Sequence, residues 1–153
     1  MKRLFAYFTW SNNTKKIVES LEKEVNADVV RIERKIPYSS DYDTCAYVEA
    51  KEEWEKHIHP EMKPLNVNFN DYDEIDLFFP IWWYTYPMVI GTFAKELKDY
   101  KGRVVVFANS YTNDYKYMET SLKDLREVNS NINFVEGLFN KSIKEHTSFL
   151  KGE

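Results

Sequence analysis

The stretch "LFAYFTWSNNTKK", Leu4 to Lys16, joins an apolar run to a polar cluster and then to the start of a helix. Leu4 to Phe8 contains no charge, which is typical of a strand covered on both faces of a sheet. After the polar cluster, apolar residues recur at the spacing of one helix face, at Ile17, Val18, Leu21 and Val25. This order predicts a strand, a polar loop and an amphipathic helix over about Thr14 to Val25, which is the first unit of an α/β sheet.

The same alternation continues to the end of the chain. Further strands are predicted around Val29 to Ile32, Ile75 to Phe79, Val104 to Ala108 and Ile132 to Leu138. Helices are predicted around Tyr42 to His57 (with apolar positions Ala46, Val48, Ala50 and Trp54), Val89 to Leu97, Lys116 to Val128, and in a last segment ending near Leu150. Five strands alternating with helices predict an α/β sandwich around a mostly parallel sheet with helices on both faces. Residues 1–153 are expected to form one domain, with an insert over about residues 37–70 between strands two and three.

Composition narrows the function classes. The net charge of −4 argues against a nucleic-acid partner, because binding to phosphate backbones needs clustered Lys and Arg. Cys45 is the one cysteine, so an internal disulfide is impossible and a reducing compartment is indicated. No signal peptide or membrane-spanning run is recognisable, which predicts a cytoplasmic protein without membrane contact. Aromatic residues make up 16% of the chain, which is high for a globular protein and needs a structural or functional explanation.

Three loops are predicted to leave the same edge of the sheet. They follow the first, third and fourth strands and cover Thr9 to Thr14, Pro80 to Pro87 and Asn109 to Tyr115. In open α/β sheets, ligands bind beyond the carboxyl ends of the strands, where the strand order reverses. These loops are therefore the expected place for a binding site.

The first loop has two interpretations that are compatible with each other. Its hydroxyl and amide groups stand beside the free N–H groups of a helix start, which suits a phosphate. Ser, Thr and Asn are also the preferred helix caps, so the loop could simply begin the helix. The loop lacks the glycines and the Lys-Ser/Thr pair of a P-loop, which argues against ATP or GTP hydrolysis. No Asp ends the first strand, as a phosphoacceptor receiver domain would require.

The second loop, "PIWWYTYP", is the most informative stretch of the chain. Trp82, Trp83, Tyr84 and Tyr86 follow a strand that has left the core, and exposed aromatic clusters usually mark binding sites. Their flat faces suit a planar heterocycle. The alternative is a satellite cluster packed under the insert. The third loop, "NSYTNDY", adds amides, hydroxyls and two more aromatics, and its composition alone also fits a plain surface loop.

On these motifs the chain resembles the flavodoxin-like family of FMN-binding proteins over its whole length. In one subgroup of that family the first loop reads Ser-x-Ser-Gly-Asn-Thr and the second reads Pro-Ile-Trp-Trp-Gly; this sequence has "TWSNNT" and "PIWWYT". The resemblance implies the strand order 2-1-3-4-5, with FMN at the switch point between strands one and three. "PY" at Pro37 and Tyr38, followed by a helical insert, also resembles that subgroup.

By position, the resemblance implies three groups of FMN-binding residues. The phosphate would be held by the first loop, Thr9, Trp10, Ser11, Asn12, Asn13 and Thr14. The ribityl chain and one face of the ring would meet Pro80, Ile81, Trp82, Trp83, Tyr84 and Thr85, and the other side of the ring would meet Asn109, Ser110 and Tyr111. The sequence departs from the family where Asn12 and Tyr84 replace glycines and where the third loop has no glycine. Asn tolerates the left-handed region well, whereas Tyr does so poorly.

Two functions follow as hypotheses. The first is an FMN-dependent electron carrier or small quinone reductase-like oxidoreductase, a monomer or homodimer that meets a redox partner protein or a small quinone-like substrate. The second is a binding or regulatory module that kept the fold and lost the cofactor, as the missing glycines would allow. A metal site at His57 and His59 is not expected, because i, i+2 spacing does not place both side chains on one helix face.

Overall fold

Parallel strands form the centre of the computed structural model, which describes all residues from 1 to 153. The strands are β1 (Arg3–Tyr7), β2 (Asp28–Arg31), β3 (Glu74–Pro80), β4 (Arg103–Asn109) and β5 (Asn133–Phe139). They form one five-stranded sheet in the order β2-β1-β3-β4-β5, and every neighbouring pair is parallel. The fold class and strand order that the resemblance implied are therefore confirmed.

Helices cover both faces of this sheet. They are α1 (Asn13–Glu22), α2 (Lys51–Lys56), α3 (Met88–Glu96), α4 (Lys116–Val128) and α5 (Ile143–Lys151). On one face, Phe5 and Phe78 pack with Val18 of α1 and Leu150 of α5. On the other face, α3 and α4 bury a larger apolar cluster together with part of the insert. The continuous apolar strands seen in the sequence are thus buried on both sides, as parallel strands generally are.

The insert between β2 and β3 contains a continuous helix over residues 42–56, as predicted over about Tyr42 to His57, but much of its first half is not α-helical. Thr44–Ala50 forms a π-helical segment that runs directly into α2. Val48, one of the apolar positions on which the helix was predicted, is 60% exposed, while Cys45 and Ala50 are buried. A π-helix closes hydrogen bonds between residues five apart, so its buried face follows an i, i+5 spacing that an α-helical pattern does not show.

An ion-pair network fixes the insert beside the sheet. Arg34 contacts Glu49 and Glu53 of the insert, each at 2.9 Å. The Arg34 guanidinium also lies 3.8 Å from the ring centroid of Tyr38, and the Tyr38 hydroxyl donates a hydrogen bond to Glu53. Because these groups are largely shielded from water, their attraction is weakened little by solvent. The insert therefore has a defined position next to the carboxyl edge.

None of the helices is both long enough and apolar enough to span a bilayer. No group of three or more His, Cys, Asp or Glu side chains has an arrangement that would hold a metal ion. The His57 and His59 rings lie 4.8 Å apart, and the nearest acidic partner of His57 is Asp124 of α4 at 3.8 Å.

Candidate functional site

A cleft of about 550 Å³ opens at the carboxyl edge of the sheet. The register of β3 and β4 pairs Pro80 with Asn109, so the second and third loops leave the sheet at the same level. The cleft lies where the connections from β1 and β3 diverge, the position expected for a ligand site in this topology. Most of the predicted site residues line it, namely Trp10, Ser11, Asn13, Pro80, Ile81, Trp82, Trp83, Tyr84, Asn109, Ser110 and Tyr111.

The first loop reaches α1 through a left-handed residue. Asn12 has φ 73° and ψ 2°, and its side chain makes no capping hydrogen bond. The first backbone N–H of the helix to find an acceptor is that of Lys16, which donates to the Asn12 carbonyl at 3.0 Å. The N–H groups before it are left unpaired, which is the arrangement that binds anions at helix starts. Asn12 thus adopts a left-handed conformation at the position where the resembling loop motif has glycine.

Two threonines of this loop are buried and do not line the cleft. Thr9 is 5% exposed, and its hydroxyl has no hydrogen-bond partner in the protein. Thr14 donates from its hydroxyl to Oδ1 of Asn109 at 2.9 Å and so ties the first loop to the third. A buried hydroxyl without a partner is costly, and it is rare unless a ligand or an ordered water satisfies it.

The second loop contains a tight turn with two consecutive left-handed residues. Trp83 has φ 48° and Tyr84 has φ 71°. Trp82 and Thr85 close the turn by exchanging backbone hydrogen bonds of 2.8 and 3.3 Å. This is the pattern of a type I′ turn, in which glycine or asparagine is normally required. Tyr84 therefore adopts the positive φ that its side chain disfavours.

The two tryptophans of this loop already pack against the protein. Trp82 meets Phe8 and Tyr38 edge-on, with ring centroids 5.1 Å apart in both pairs. Trp83 stacks on Trp54 of α2, with ring centroids 5.6 Å apart and an angle of 18° between the ring planes. Tyr47 meets the Trp83 ring edge-on. The interpretation of this loop as a cluster under the insert thus applies to both rings, although each also contributes to the cleft wall.

Two residues of the second loop lie away from the cleft. The sequence predicted that some of the four aromatic residues of this loop are partly exposed; Tyr84 is exposed, whereas Tyr86 is fully buried and pairs with His59 through its hydroxyl at 3.4 Å. The insert, which supplies His59, covers Tyr86. Thr85 is also buried, and its hydroxyl faces that of Ser121 of α4.

The third loop carries the most exposed aromatic side chain of the site. Tyr111 is 98% exposed at the mouth of the cleft. The loop beneath it is held by Asn140, whose Oδ1 accepts a 2.6 Å hydrogen bond from the N–H of Ser110. Asn140 has φ 53°. The sequence did not predict this contact, because Asn140 lies beyond the following strand and only the sheet brings it next to Ser110.

Other parts of the chain complete the cleft without having been predicted. The insert contributes Tyr42, Cys45, Ala46, Tyr47 and Ala50, and the third loop and α4 contribute Thr112 and Tyr117. The density of tyrosine in "YDTCAY" was the available signal. Burial raises the pKa of the Cys45 thiol to about 12, so this cysteine stays protonated and is not a nucleophile at neutral pH.

The family model for flavodoxin matches residues 2–150. This chain belongs to the flavodoxin family. Among solved structures, a flavoprotein from Lactobacillus acidophilus in complex with FMN is 23% identical and has a TM-score of 0.80, with 97% of this chain and 98% of that chain covered. A protein from Bacteroides eggerthii that is provisionally named a flavoprotein is 26% identical, with a TM-score of 0.83 and coverage of 99% and 96%. The two-electron reduced flavodoxin of Megasphaera elsdenii is 13% identical, with a TM-score of 0.55 and coverage of 99% of both chains. Among curated proteins no sequence matches this chain.

The cleft of this protein is lined by no charged side chain. Its lining side chains are aromatic, aliphatic, amide and hydroxyl groups, together with the Cys45 thiol. General acid–base catalysis needs a group that titrates near the working pH, and the lining offers none. The lining groups can supply hydrogen bonds and aromatic stacking to a ligand.

Proposed function

We propose that this protein binds FMN in the cleft and takes part in electron transfer or flavin-dependent oxidoreduction. One observation carries the proposal: the cleft is lined both by neutral donor side chains of the first loop, Ser11 and Asn13, and by aromatic side chains. A phosphate suits the donors and a planar ring suits the aromatic side chains. The Lactobacillus acidophilus flavoprotein of the same fold, which was solved with FMN, supports the choice of ligand.

The first loop fits a phosphate without a cationic side chain. The unpaired N–H groups before Lys16 supply donors, and Ser11 and Asn13 add side-chain groups that line the cleft. The Thr9 hydroxyl does not line the cleft and is buried without a partner in the protein, so it gains an acceptor only if the loop shifts to bring it to a phosphate oxygen. The left-handed conformation of Asn12 turns the backbone between the first loop and the start of α1. The loop thus meets the phosphate end of FMN with hydrogen bonds and the positive end of a helix dipole.

The remaining cleft fits the ribityl chain and the ring. Pro80, Ile81 and the Trp82 to Tyr84 turn form one wall. Asn109, Ser110 and Tyr111 form the other, with Tyr111 free of protein contacts at its face. A volume of about 550 Å³ lies in the range of small-molecule sites, which is roughly 300 to 1,000 Å³.

Bound FMN would supply the one- and two-electron redox chemistry that the side chains lack. The protein's part is to hold the ring in place, to exclude water from its faces and to set the surrounding charge. The cleft lining is neutral and the net charge of the chain is −4, so no lining side chain offers a positive charge to a ring that gains negative charge on reduction. We expect the reduced form to bind more weakly than the oxidised form, which lowers the reduction potential.

The partner we propose is a redox protein or a small quinone-like molecule that meets the exposed part of the ring. Tyr42, Tyr47, Tyr84 and Tyr111 surround the mouth of the cleft and are each more than half exposed. An apolar rim of this kind is a usual feature of contact surfaces.

A visible absorption spectrum of the purified protein tests the proposal. We expect flavin bands in the preparation or after FMN is added and excess is removed by gel filtration. A protein that stays colourless in both cases would refute FMN binding and would favour a module that has lost its cofactor. A bound flavin that no electron donor reduces would refute the redox role alone.

A further inference from the structure

The turn in the second loop carries backbone strain that its own residues do not explain. Trp83 and Tyr84 both adopt positive φ values, 48° and 71°. Left-handed backbone at residues with a bulky side chain is unfavourable and persists only where surrounding structure imposes it. The backbone hydrogen bonds between Trp82 and Thr85 close the turn, but many non-glycine sequences would relieve the strain by adopting another turn type.

The Trp83 side chain is the part of this turn that is fixed from outside. Its indole N–H donates a 2.8 Å hydrogen bond to the carbonyl of Ala46. Its ring stacks on Trp54, and the Lys51 ammonium lies 5.7 Å from the ring centroid. All of these contacts come from the insert, either from the π-helical segment or from α2. Position, tilt and rotation of the indole are therefore all defined by the insert.

The insert is itself part of the cleft. Cys45, Ala46 and Tyr47 line the cleft beside the turn. The Arg34 network with Glu49 and Glu53 holds the same segment to the chain after β2. A continuous set of contacts thus runs from Arg34 through the insert to Trp83 and from there to the backbone of Tyr84.

We propose that Trp83 is a positioning residue, which imposes the left-handed Trp83–Tyr84 turn from the insert and so sets the backbone that meets the bound cofactor. This inference rests on the proposed function, since it assumes that the turn faces FMN. It explains how Tyr84 occupies a position for which glycine is suited: the indole contacts replace the conformational freedom that glycine would supply. Trp54 and the Ala46 carbonyl act through Trp83 in this arrangement.

The effect of Trp83→Phe distinguishes this proposal from a role in which Trp83 only fills space. If only the stacked ring mattered, Trp83→Phe would preserve the turn, because phenylalanine still packs on Trp54. If the indole N–H holds the turn, the same variant loses the bond to Ala46, and a smaller fraction of molecules keeps the binding-competent turn. The apparent affinity for FMN falls in proportion to that fraction.

The test combines Trp83→Phe with Tyr84→Gly in a double-mutant cycle, with FMN dissociation constants measured by quenching of flavin fluorescence. We expect Trp83→Phe to weaken binding roughly three- to tenfold, the value of one hydrogen bond. In the Tyr84→Gly background the same substitution should cost no more than about twofold, because glycine removes the strain at the second of the two left-handed positions. Equal costs in the two backgrounds would overturn the proposal.

Trp10→Phe is the matched control. Trp10 also lines the cleft and donates its indole N–H to a carbonyl, that of Ser39, at 2.9 Å, but it lies outside the turn. Any loss of affinity from Trp10→Phe should be the same with and without Tyr84→Gly. A rescue of Trp10→Phe by Tyr84→Gly would show a general effect of glycine and would contradict the assignment to Trp83.

Measurements on the protein without FMN separate this inference from the proposed function. Backbone chemical shifts of Tyr84 should report a positive φ in the wild type and the loss of that positive φ in Trp83→Phe. In the double variant, the backbone shifts of the glycine at position 84 should again report a positive φ. The stacked Trp54–Trp83 pair should give an exciton couplet in circular dichroism that Trp83→Phe abolishes. If the wild type binds no FMN, these two measurements still decide whether the insert holds the turn. A Tyr84 signal unchanged in Trp83→Phe would refute it.

Discussion

The hydroxyl of Thr14 donates a 2.9 Å hydrogen bond to Oδ1 of Asn109, joining the first turn of α1 to the carboxyl end of β4. The two residues are far apart in sequence, and Thr14 is buried. Because the Thr14 hydroxyl occupies Oδ1, the amide nitrogen of Asn109 is the group left to meet a ligand in the cleft. This bond therefore fixes the relative position of the two loops that we assign to opposite ends of FMN.

Removing the Thr14 hydroxyl should loosen this link. Thr14→Val keeps the shape of the side chain but leaves Oδ1 of Asn109 without its donor. We expect FMN binding to weaken by about three- to tenfold, as the loss of one buried hydrogen bond implies. Thr92→Val is the control, since the Thr92 hydroxyl donates to the Pro60 carbonyl at 2.6 Å, away from the cleft. Equal effects of the two variants in a fluorescence titration would argue against a specific role for Thr14.

Thr9→Val should have opposite effects on stability and on binding. The Thr9 hydroxyl is buried without a protein partner, so replacing it with a methyl group removes an unsatisfied polar group. We expect the FMN-free protein to gain about 1 kcal/mol in urea denaturation and the affinity for FMN to fall. A loss of stability in the FMN-free protein, or no loss of affinity, would contradict the assignment of this hydroxyl to the phosphate.

Asn12 should tolerate glycine and reject a β-branched residue. Its φ of 73° lies in the region that glycine adopts freely and that valine disfavours by about 1 to 2 kcal/mol. We expect Asn12→Gly to keep FMN affinity within about twofold and Asn12→Val to weaken it by about tenfold, which corresponds to that energy. Isothermal titration with FMN measures both. Similar affinities for the two variants would mean that the left-handed residue does not shape the phosphate loop.

Direct reduction by NAD(P)H should be slow. A pyridine dinucleotide carries a pyrophosphate that needs cationic side chains or a helix N-terminus. No charged side chain lines the cleft, and we assign its helix N-terminus to the FMN phosphate. Stopped-flow mixing of the FMN-loaded protein with NADPH should give no reduction on the time scale on which dithionite completes it. Rapid bleaching by NADPH would instead favour a small oxidoreductase with its own nucleotide site.

A buried acidic pair lies at the opposite edge of the sheet from the cleft. Asp76 of β3 is fully buried, and its Oδ2 accepts a 2.7 Å hydrogen bond from Arg3, which also contacts Glu74. Burial, together with the neighbouring Glu74, raises the pKa of Asp76 to about 8. Burial acts on Glu74 in the same direction, but its hydrogen bonds with Asp76 and Arg103 keep its pKa below the usual value. The pair therefore holds one proton, on Asp76.

Loss of this proton from Asp76 makes the protein less stable at alkaline pH. The folded-state pKa of Asp76 lies above its unfolded value, so the folded state binds the proton more tightly and unfolding becomes easier as pH rises toward 8. Between pH 6 and 8 we expect the free energy of unfolding to fall by roughly 1 kcal/mol per pH unit. Asp76→Asn imitates the protonated form and should remove this dependence. Urea denaturation at several pH values measures the slope, and parallel slopes for both proteins would refute the assignment.

The sequence by itself determined the fold class and most of the binding edge. Uncharged apolar runs predicted the strands, because a strand covered on both faces has to be continuously apolar. The helical spacing of apolar residues predicted the helices. The polar first loop and the "PIWWYT" motif directed attention to the carboxyl edge, and both loops line the cleft there. These features are local: each depends on a few neighbouring residues and on the known geometry of parallel sheets.

Only the tertiary structure decided which groups meet. It brought Thr14 to Asn109 and Asn140 to Ser110, and it placed the indole of Trp83 on the carbonyl of Ala46. It also showed that Trp82 and Trp83 pack within the protein, so exposure could not be inferred from their place after a strand. The physical reason is that hydrogen bonds and ring contacts between distant segments depend on the crossovers and on the path of the insert. No local period or propensity in the sequence encodes that path.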